Sequence, residues 1–113
     1  MKRGDVWTVA GGPDYAGKPR PVVVLQDDAF DATASVTICP FTSHSVEAPL
    51  VRLSIDPSDR NGLRSASQLM VDKITTVSKG KLKSRVGRLS DQDIVRVNRA
   101  VLVVLGLAGR GTK

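Results

Sequence analysis

The strongest constraint on this chain is a run of five residues, Pro21-Val22-Val23-Val24-Leu25. Consecutive β-branched side chains are stiff at χ1 and favour a pleated backbone over a helix. An unbroken apolar run, rather than an alternating one, is the pattern of a strand covered on both faces. The fold therefore needs apolar cover on each side of this strand.

The neighbouring segments can supply it. Val6 to Ala10 reads as a short strand, with Trp7 and Val9 on one face and Val6 and Thr8 on the other. Residues 11–19 hold three glycines and two prolines, which suits a surface loop. Asp27 to Thr33 is a polar connection. Ser35 to Pro40 and Pro49 to Ile55 alternate as strands do, and Ser67 to Lys73 should be another. Between them, Asp56 to Gly62 is dense in turn residues and includes an Asn-Gly pair suited to left-handed backbone angles. Gly87-Arg88-Leu89 reads as a short pairing segment.

The period then changes. Ser90 is placed as an N-cap, with Asp91 and Asp93 in a first turn where carboxylates suit the helix dipole. Ile94, Val97, Val101, Leu102 and Leu105 recur at steps of three and four, which predicts an amphipathic helix of about four turns stopped at Gly106. Residues 109–113 should fray. The expectation is one domain over residues 1–113, mainly β, built as a small antiparallel barrel or sheet closed by a C-terminal helix. Val95, Val103 and Val104 widen the apolar face of that helix, and a symmetric pairing of two chains is the simplest cover.

Charge narrows the function. The 113 residues carry a net charge of +6, unevenly spread. Residues 1–60 hold six Lys/Arg against eight Asp/Glu, and residues 61–113 hold eleven against three. A basic half points to a polyanionic partner, although a cationic surface also serves solubility alone. The longest apolar stretch, Ala100 to Ala108, is about half of the ~20 residues a membrane span requires. Met1-Lys2-Arg3 leads into Gly4-Asp5 and not into an apolar run, so a cytoplasmic chain with no membrane partner is expected. Cys39 and His44 are single residues of their kinds, which leaves no disulfide framework, no thiolate zinc site and no implied metal or cofactor. Gly12 to Lys18 runs into Pro19 where a phosphate-binding loop would open a helix. A G-x-S-x-G elbow is absent.

Two clusters remain. Lys18-Pro19-Arg20-Pro21 sets an arginine between two prolines, whose rings restrict the backbone on either side and hold the guanidinium at a defined point. Pro40-Phe41-Thr42-Ser43-His44 follows a strand; if the extension continues, Thr42 and His44 share a face. Taken singly, Arg20 reads equally as an exposed strand-edge arginine, and Thr42 as a turn hydroxyl satisfying the backbone.

In order along the chain, these pieces resemble the MazF/PemK-type toxins, the endoribonuclease component of bacterial toxin–antitoxin pairs. The matching stretches are Arg3-Gly4-Asp5-Val6-Trp7, Gly17-Lys18-Pro19-Arg20-Pro21-Val22-Val23-Val24, Cys39-Pro40-Phe41-Thr42-Ser43, Leu63 to Ser67, Asp72-Lys73-Ile74-Thr75-Thr76-Val77, Gly87-Arg88-Leu89 and the closing helix to Leu107. The resemblance implies an SH3-like antiparallel β-barrel of the MazF, CcdB and Kid type that forms homodimers. It implies metal-independent cleavage of single-stranded RNA, with Arg20 and Thr42 as the catalytic pair, and inhibition by an acidic antitoxin. It also implies RNA contacts at Lys18, Ser43, Ser67 and Lys73, although Lys73 stands where many relatives carry glutamine.

Metal-free cleavage uses the substrate's 2′-hydroxyl as nucleophile and leaves 2′,3′-cyclic phosphate and 5′-hydroxyl ends. An arginine suits the phosphoryl oxygens because its planar fork can hold two of them. It is a poor proton acceptor, and a histidine is the better base by chemistry. Arg20 is kept as primary and His44 as an RNA contact or a plain loop residue. Tyr15 offers a stacking face in the glycine-rich loop. Trp7, borne on a strand, is more often core than base platform. Lys79, Lys81, Lys83 and Arg85 alternate without an intervening acid; on an extended segment they would share one face as a phosphate track or merely as a solvated one. The competing class is a non-enzymatic toxin of the same fold that acts on gyrase or binds nucleic acid.

Overall fold

The computed structural model describes residues 1–10 and 19–109. Strands β1 (Asp5–Val9), β2 (Arg20–Val24), β3 (Ser35–Thr42), β4 (Arg52–Ile55), β5 (Ser67–Met70), β6 (Thr75–Ser78) and β7 (Leu82–Arg88) precede one helix, α1 (Asp91–Val104). The sheet runs β4-β5-β3-β2-β1-β7, with β6 also paired to β3, and every pairing is antiparallel. The mainly β architecture with a closing helix is as expected. The described strands form a curled, barrel-like sheet whose path does not close.

Curling follows from β3. Its first half pairs with β6 through Ser35–Ser78 and Ile38–Thr75, and its end pairs with β5 through Phe41–Leu69. One strand thereby joins two ladders, and the sheet folds over between them. On the other side of β3 lies β2, where Val22, Val23 and Val24 are each no more than 2% exposed. Val23 joins a core with Val6, Cys39, Phe41, Leu69, Leu89, Val97 and Ala100, beneath α1. Val22 and Val24 join a second core with Val36, Ile38 and Leu82, flanked by Trp7 and Val9. The unbroken valine run is thus buried on both faces, and Trp7 belongs to the second core.

Ser90 caps α1, its Oγ accepting from Asp93 N at 3.1 Å. At the other end Gly106 takes φ +73°, while the Gly106 and Leu107 N–H groups donate to Val103 and Leu102 carbonyls. The buried stripe of α1 is Val97 and Ala100, flanked by Ile94 and Val101. Leu102 and Leu105, expected on that stripe, are 44% and 59% exposed. They lie beside exposed Val95 and Leu107, so the uncovered apolar face is wider than the sequence pattern suggests. No helix among the described residues is long and apolar enough to cross a membrane.

Several boundaries moved. The Pro49–Ile55 strand shortens to β4 because residues 49–51 turn, and the Ser67–Lys73 strand ends at Met70, where Val71–Lys73 forms a 3-10 turn. Strand β6 was not foreseen, and the expected pairing segment at Gly87 is the end of the seven-residue β7.

Candidate active site

The candidate catalytic residues sit at the joined ends of β2 and β3. The β2–β3 register, Val22↔Pro40 and Val24↔Ile38, brings Arg20 toward Thr42 when carried two residues further. Both side chains line one groove of about 760 Å³, within the range of ligand sites. Arg20 is half-buried, held at the first position of β2 with Pro21 after it.

Strand β3 ends at Thr42, and the chain bends at Ser43 and His44. His44 therefore does not share an extended face with Thr42. It is exposed, outside the groove lining, and its backbone N donates to Thr42 Oγ1 at 3.1 Å. Thr42 is both the turn hydroxyl and a groove residue. With its oxygen already accepting, the hydroxyl hydrogen is left to point at another acceptor.

The opposite wall comes from the 56–65 loop and β7. Leu63, Arg64, Ser65, Ser84 and Val86 line it, together with Ser67 at the start of β5. Asn61 organises this loop from a buried position (4% exposed). Its Oδ1 accepts from Ser58 N and Leu63 N, both at 3.0 Å, and its Nδ2 donates to the Asp56 carbonyl at 2.8 Å. Gly62 has φ +71°, and a Cβ there would stand 2.0 Å from the Val86 carbonyl oxygen. Only glycine lets the turn lie so close against β7.

Among the described residues, the lining holds two arginines, six hydroxyl side chains and no carboxylate. Arg20, Thr42, Ser43 and Ser67 of the sequence candidates meet there. Tyr15 and Lys18 lie outside the described residues. Lys73 is exposed at the end of the Val71–Lys73 turn and does not line the groove. Nor do Lys79 and Lys81.

The single-face track expected for residues 79–85 is not formed. Lys79–Lys81 is a 3-10 turn that carries the chain from β6, on β3, to β7, on β1. Within β7 the register against β1 slips by one residue on either side of the Trp7–Arg85 pair. Lys79 donates to the Asp31 carbonyl, with its Nζ also 3.8 Å from Asp31 Oδ1. Arg85 Nε lies 3.4 Å from Asp5 Oδ1. Lys81 and Lys83 stay exposed, with no ion pair among the described residues.

Asp5 is buried, which by itself would raise its pKa. The Lys2 N–H bond at 2.9 Å, with Arg85 and Arg88 alongside, outweighs burial and holds the carboxyl below its ordinary value. Away from the groove, Asp72 is likewise lowered, chiefly by the two hydrogen bonds from Arg52 at 2.7 and 3.2 Å. Burial, with the Asp72 charge nearby, pushes the Cys39 thiol up to about 12, and its Sγ donates to the Met70 carbonyl. A thiol so buried and so weakly acidic is no nucleophile at neutral pH.

Arg64 was inside a stretch carrying the family resemblance, yet was not singled out. Its signal was position: a cation two residues past an Asn-Gly turn and three before a strand.

Known proteins resemble this chain in sequence and in fold. The model of the PemK-like, MazF-like toxins of type II toxin–antitoxin systems matches residues 2–105. A probable endoribonuclease MazF of Mycolicibacterium smegmatis is 55% identical over 109 residues, covering 96% of this chain and all of that protein. The endoribonuclease EndoA of Bacillus subtilis is 29% identical and covers 95% of this chain and 96% of its own length. Among solved structures, an endoribonuclease in complex with its cognate antitoxin from a mycobacterial species superposes with a TM-score of 0.79. It is 24% identical and covers 95% of this chain and 96% of that one.

Proposed function

The chain belongs to the PemK-like, MazF-like toxin family and is an endoribonuclease; on that premise we propose that it cuts single-stranded RNA without a metal ion, through Arg20 and Thr42. The observation that carries this reading is the groove itself, where two arginines and six hydroxyls face one another with no described carboxylate between them. A polyanion is the ligand such a lining favours.

In the proposed reaction the substrate's 2′-oxygen forms a bond to the adjacent phosphorus, and the bond to the 5′-oxygen breaks. The proton of the 2′-hydroxyl leaves, the 5′-oxygen gains one, and the products carry 2′,3′-cyclic phosphate and 5′-hydroxyl ends. Charge builds on the two non-bridging oxygens in the transition state. Arg20 can hold both in its planar fork, and the Thr42 hydroxyl, its oxygen occupied by His44 N–H, adds a third donor. Of the apolar lining, Val86 is exposed and gives an unstacked base a surface to rest on, while Phe41 and Leu63 form the buried floor.

The proposal extends to partners. An acidic antitoxin segment would meet the basic half of the chain. A second copy would cover Val95 and Leu102 on α1 and Leu105 at its C-cap, whose exposure is costly at roughly 25 cal/mol per Å². The setting is the cytoplasm, where RNA and antitoxin are present. The test is end mapping on a long, weakly structured RNA. We expect 5′-hydroxyl and cyclic phosphate ends at the same sites with and without EDTA; 5′-phosphate ends, or activity lost to EDTA, would overturn the mechanism. Light scattering should show twice 12.1 kDa at micromolar concentration.

A further inference from the structure

The groove has two walls, and the chemistry proposed above uses only the one made by β2 and β3. The other wall carries a cation with no assigned task. Arg64 is exposed, lines the groove, and among the described residues has no hydrogen bond or ion pair. Arg99, on α1 and outside the groove lining, is likewise without one; most of the other arginines are engaged. Arg52 pairs with Asp72, Arg85 and Arg88 with Asp5, Arg96 with Asp93, and Arg60 with Asp91.

The backbone under Arg64 is also unusually fixed. Asn61 ties Asp56, Ser58 and Leu63 together from a buried position, and its own N–H donates to Ser58 Oγ at 3.0 Å. The turn is locked onto β7 from both sides. A Cβ on Gly62 would meet the Val86 carbonyl oxygen at 2.0 Å, one on Gly87 would meet the Asn61 carbonyl carbon at 2.3 Å, and Arg88 N donates to the Arg60 carbonyl at 2.8 Å. An exposed arginine loses considerable side-chain entropy when it engages a ligand, so a rigid root under it matters. The same β7 contributes Ser84 and Val86 to the groove, which makes this wall one mechanical piece.

We propose that Arg64 is a second phosphate-binding cation of the groove, and that Asn61 is its positioning residue. Arg20 then holds the phosphate being cut, while Arg64 holds a neighbouring phosphate of the same strand and sets its path between the walls. This rests on the groove being the RNA site.

The test separates the two. Binding is measured with a single-stranded RNA carrying a 2′-deoxynucleotide at the cut position, which cannot react, while cleavage of the all-ribose strand is followed in parallel. Arg64→Gln should weaken binding about tenfold at low salt and lower the slope of log K against log salt by about 0.7. Arg64→Lys should restore the slope. Asn61→Ser should weaken binding several-fold in the parent chain and add nothing in the Arg64→Gln background. Should Asn61→Ser fail to fold, Ser58→Ala, which removes one bond of the same turn, is read in the same two backgrounds. An unchanged affinity and slope in Arg64→Gln would overturn the assignment of Arg64. Equal losses in both backgrounds would overturn positioning by Asn61. If the parent chain binds with the Arg64-dependent slope yet does not cut, the ribonuclease mechanism fails and the phosphate site stands.

Discussion

The groove and the stretch from Lys79 to Arg85 are both cationic, yet the fold treats them differently. In the groove, no carboxylate stands among the described lining residues, and Arg64 has no ion pair among the described residues. Along residues 79–85, two of four cations are already engaged, Lys79 with Asp31 and Arg85 with Asp5. Density of positive charge in the sequence is greater in the second region. Availability for a phosphate is greater in the first. The carboxylates that decide this come from far away in the chain, 48 residues for Asp31 and 80 for Asp5, and no local pattern reveals them.

The largest expected effect breaks the comparison at the groove. Arg20→Ala should lower RNA cleavage by at least the ~10²–10³-fold typical of losing one transition-state donor, with the circular dichroism spectrum unchanged. Thr42→Ala should lose less, since one neutral donor goes and the guanidinium remains. Wild-type rates in Arg20→Ala would show that the groove, for all its cationic lining, is not where the chain cuts.

A middle-sized effect concerns the pins. Asp5 has a folded-state pKa below its unfolded one, so the stability it contributes is present above the ordinary carboxylate range and lost as pH falls beneath about 4. Denaturant midpoints should therefore drop on acidification through that window. Asp5→Asn should cost on the order of 1–3 kcal/mol at neutral pH, because Arg88 and the Lys2 N–H keep only a neutral acceptor. It should also flatten the acid limb. A variant as stable as the parent at pH 7 would mean that Arg85 and Arg88 are not held by Asp5.

What was legible in the sequence divides along the same line. The doubly buried valine run, the Ser90 cap and the Gly106 stop are local events, and each is where its residues indicate. Arg20 and Thr42 stand out as candidates through the order of short motifs, and strand pairing brings them to one groove. Strand β6 escaped because Thr75-Thr76-Val77-Ser78 has little apolar signal; it pairs with β3 through backbone bonds and a Thr37–Thr76 hydroxyl contact at 2.9 Å. Leu102 and Leu105 are spaced as core residues would be, but α1 buries the side that carries Val97 and Ala100; Leu102 falls with Val95 on the side turned away, and Leu105 is the C-cap past the last turn. The role of Arg64 depends on a turn packed against β7, a contact between segments some 25 residues apart.

The smallest expected effect sharpens the comparison most. If all four cations of residues 79–85 met phosphates, converting them to glutamine would reduce the salt slope by about 2.8, at ~0.7 for each contact on a single strand. The structure reduces that number. Lys79 has its ammonium on the Asp31 carbonyl, and Arg85 faces the buried Asp5 carboxylate, so each would have to trade a partner before gaining a phosphate. Lys81 and Lys83 have no ion pair among the described residues to give up, but Lys81 ends a 3-10 turn while Lys83 lies on β7, and long exposed side chains lose entropy on docking. The quadruple variant should therefore lose no more than about 1.4 in slope, and Lys81→Gln with Lys83→Gln should account for nearly all of it. Lys79→Gln with Arg85→Gln should leave the slope where it was and show instead as lower stability. A loss near 2.8 shared evenly by all four would mean that the ion pairs to Asp31 and Asp5 open freely when RNA arrives, and that charge density alone, not the carboxylates set against it, decides where this chain grips its substrate.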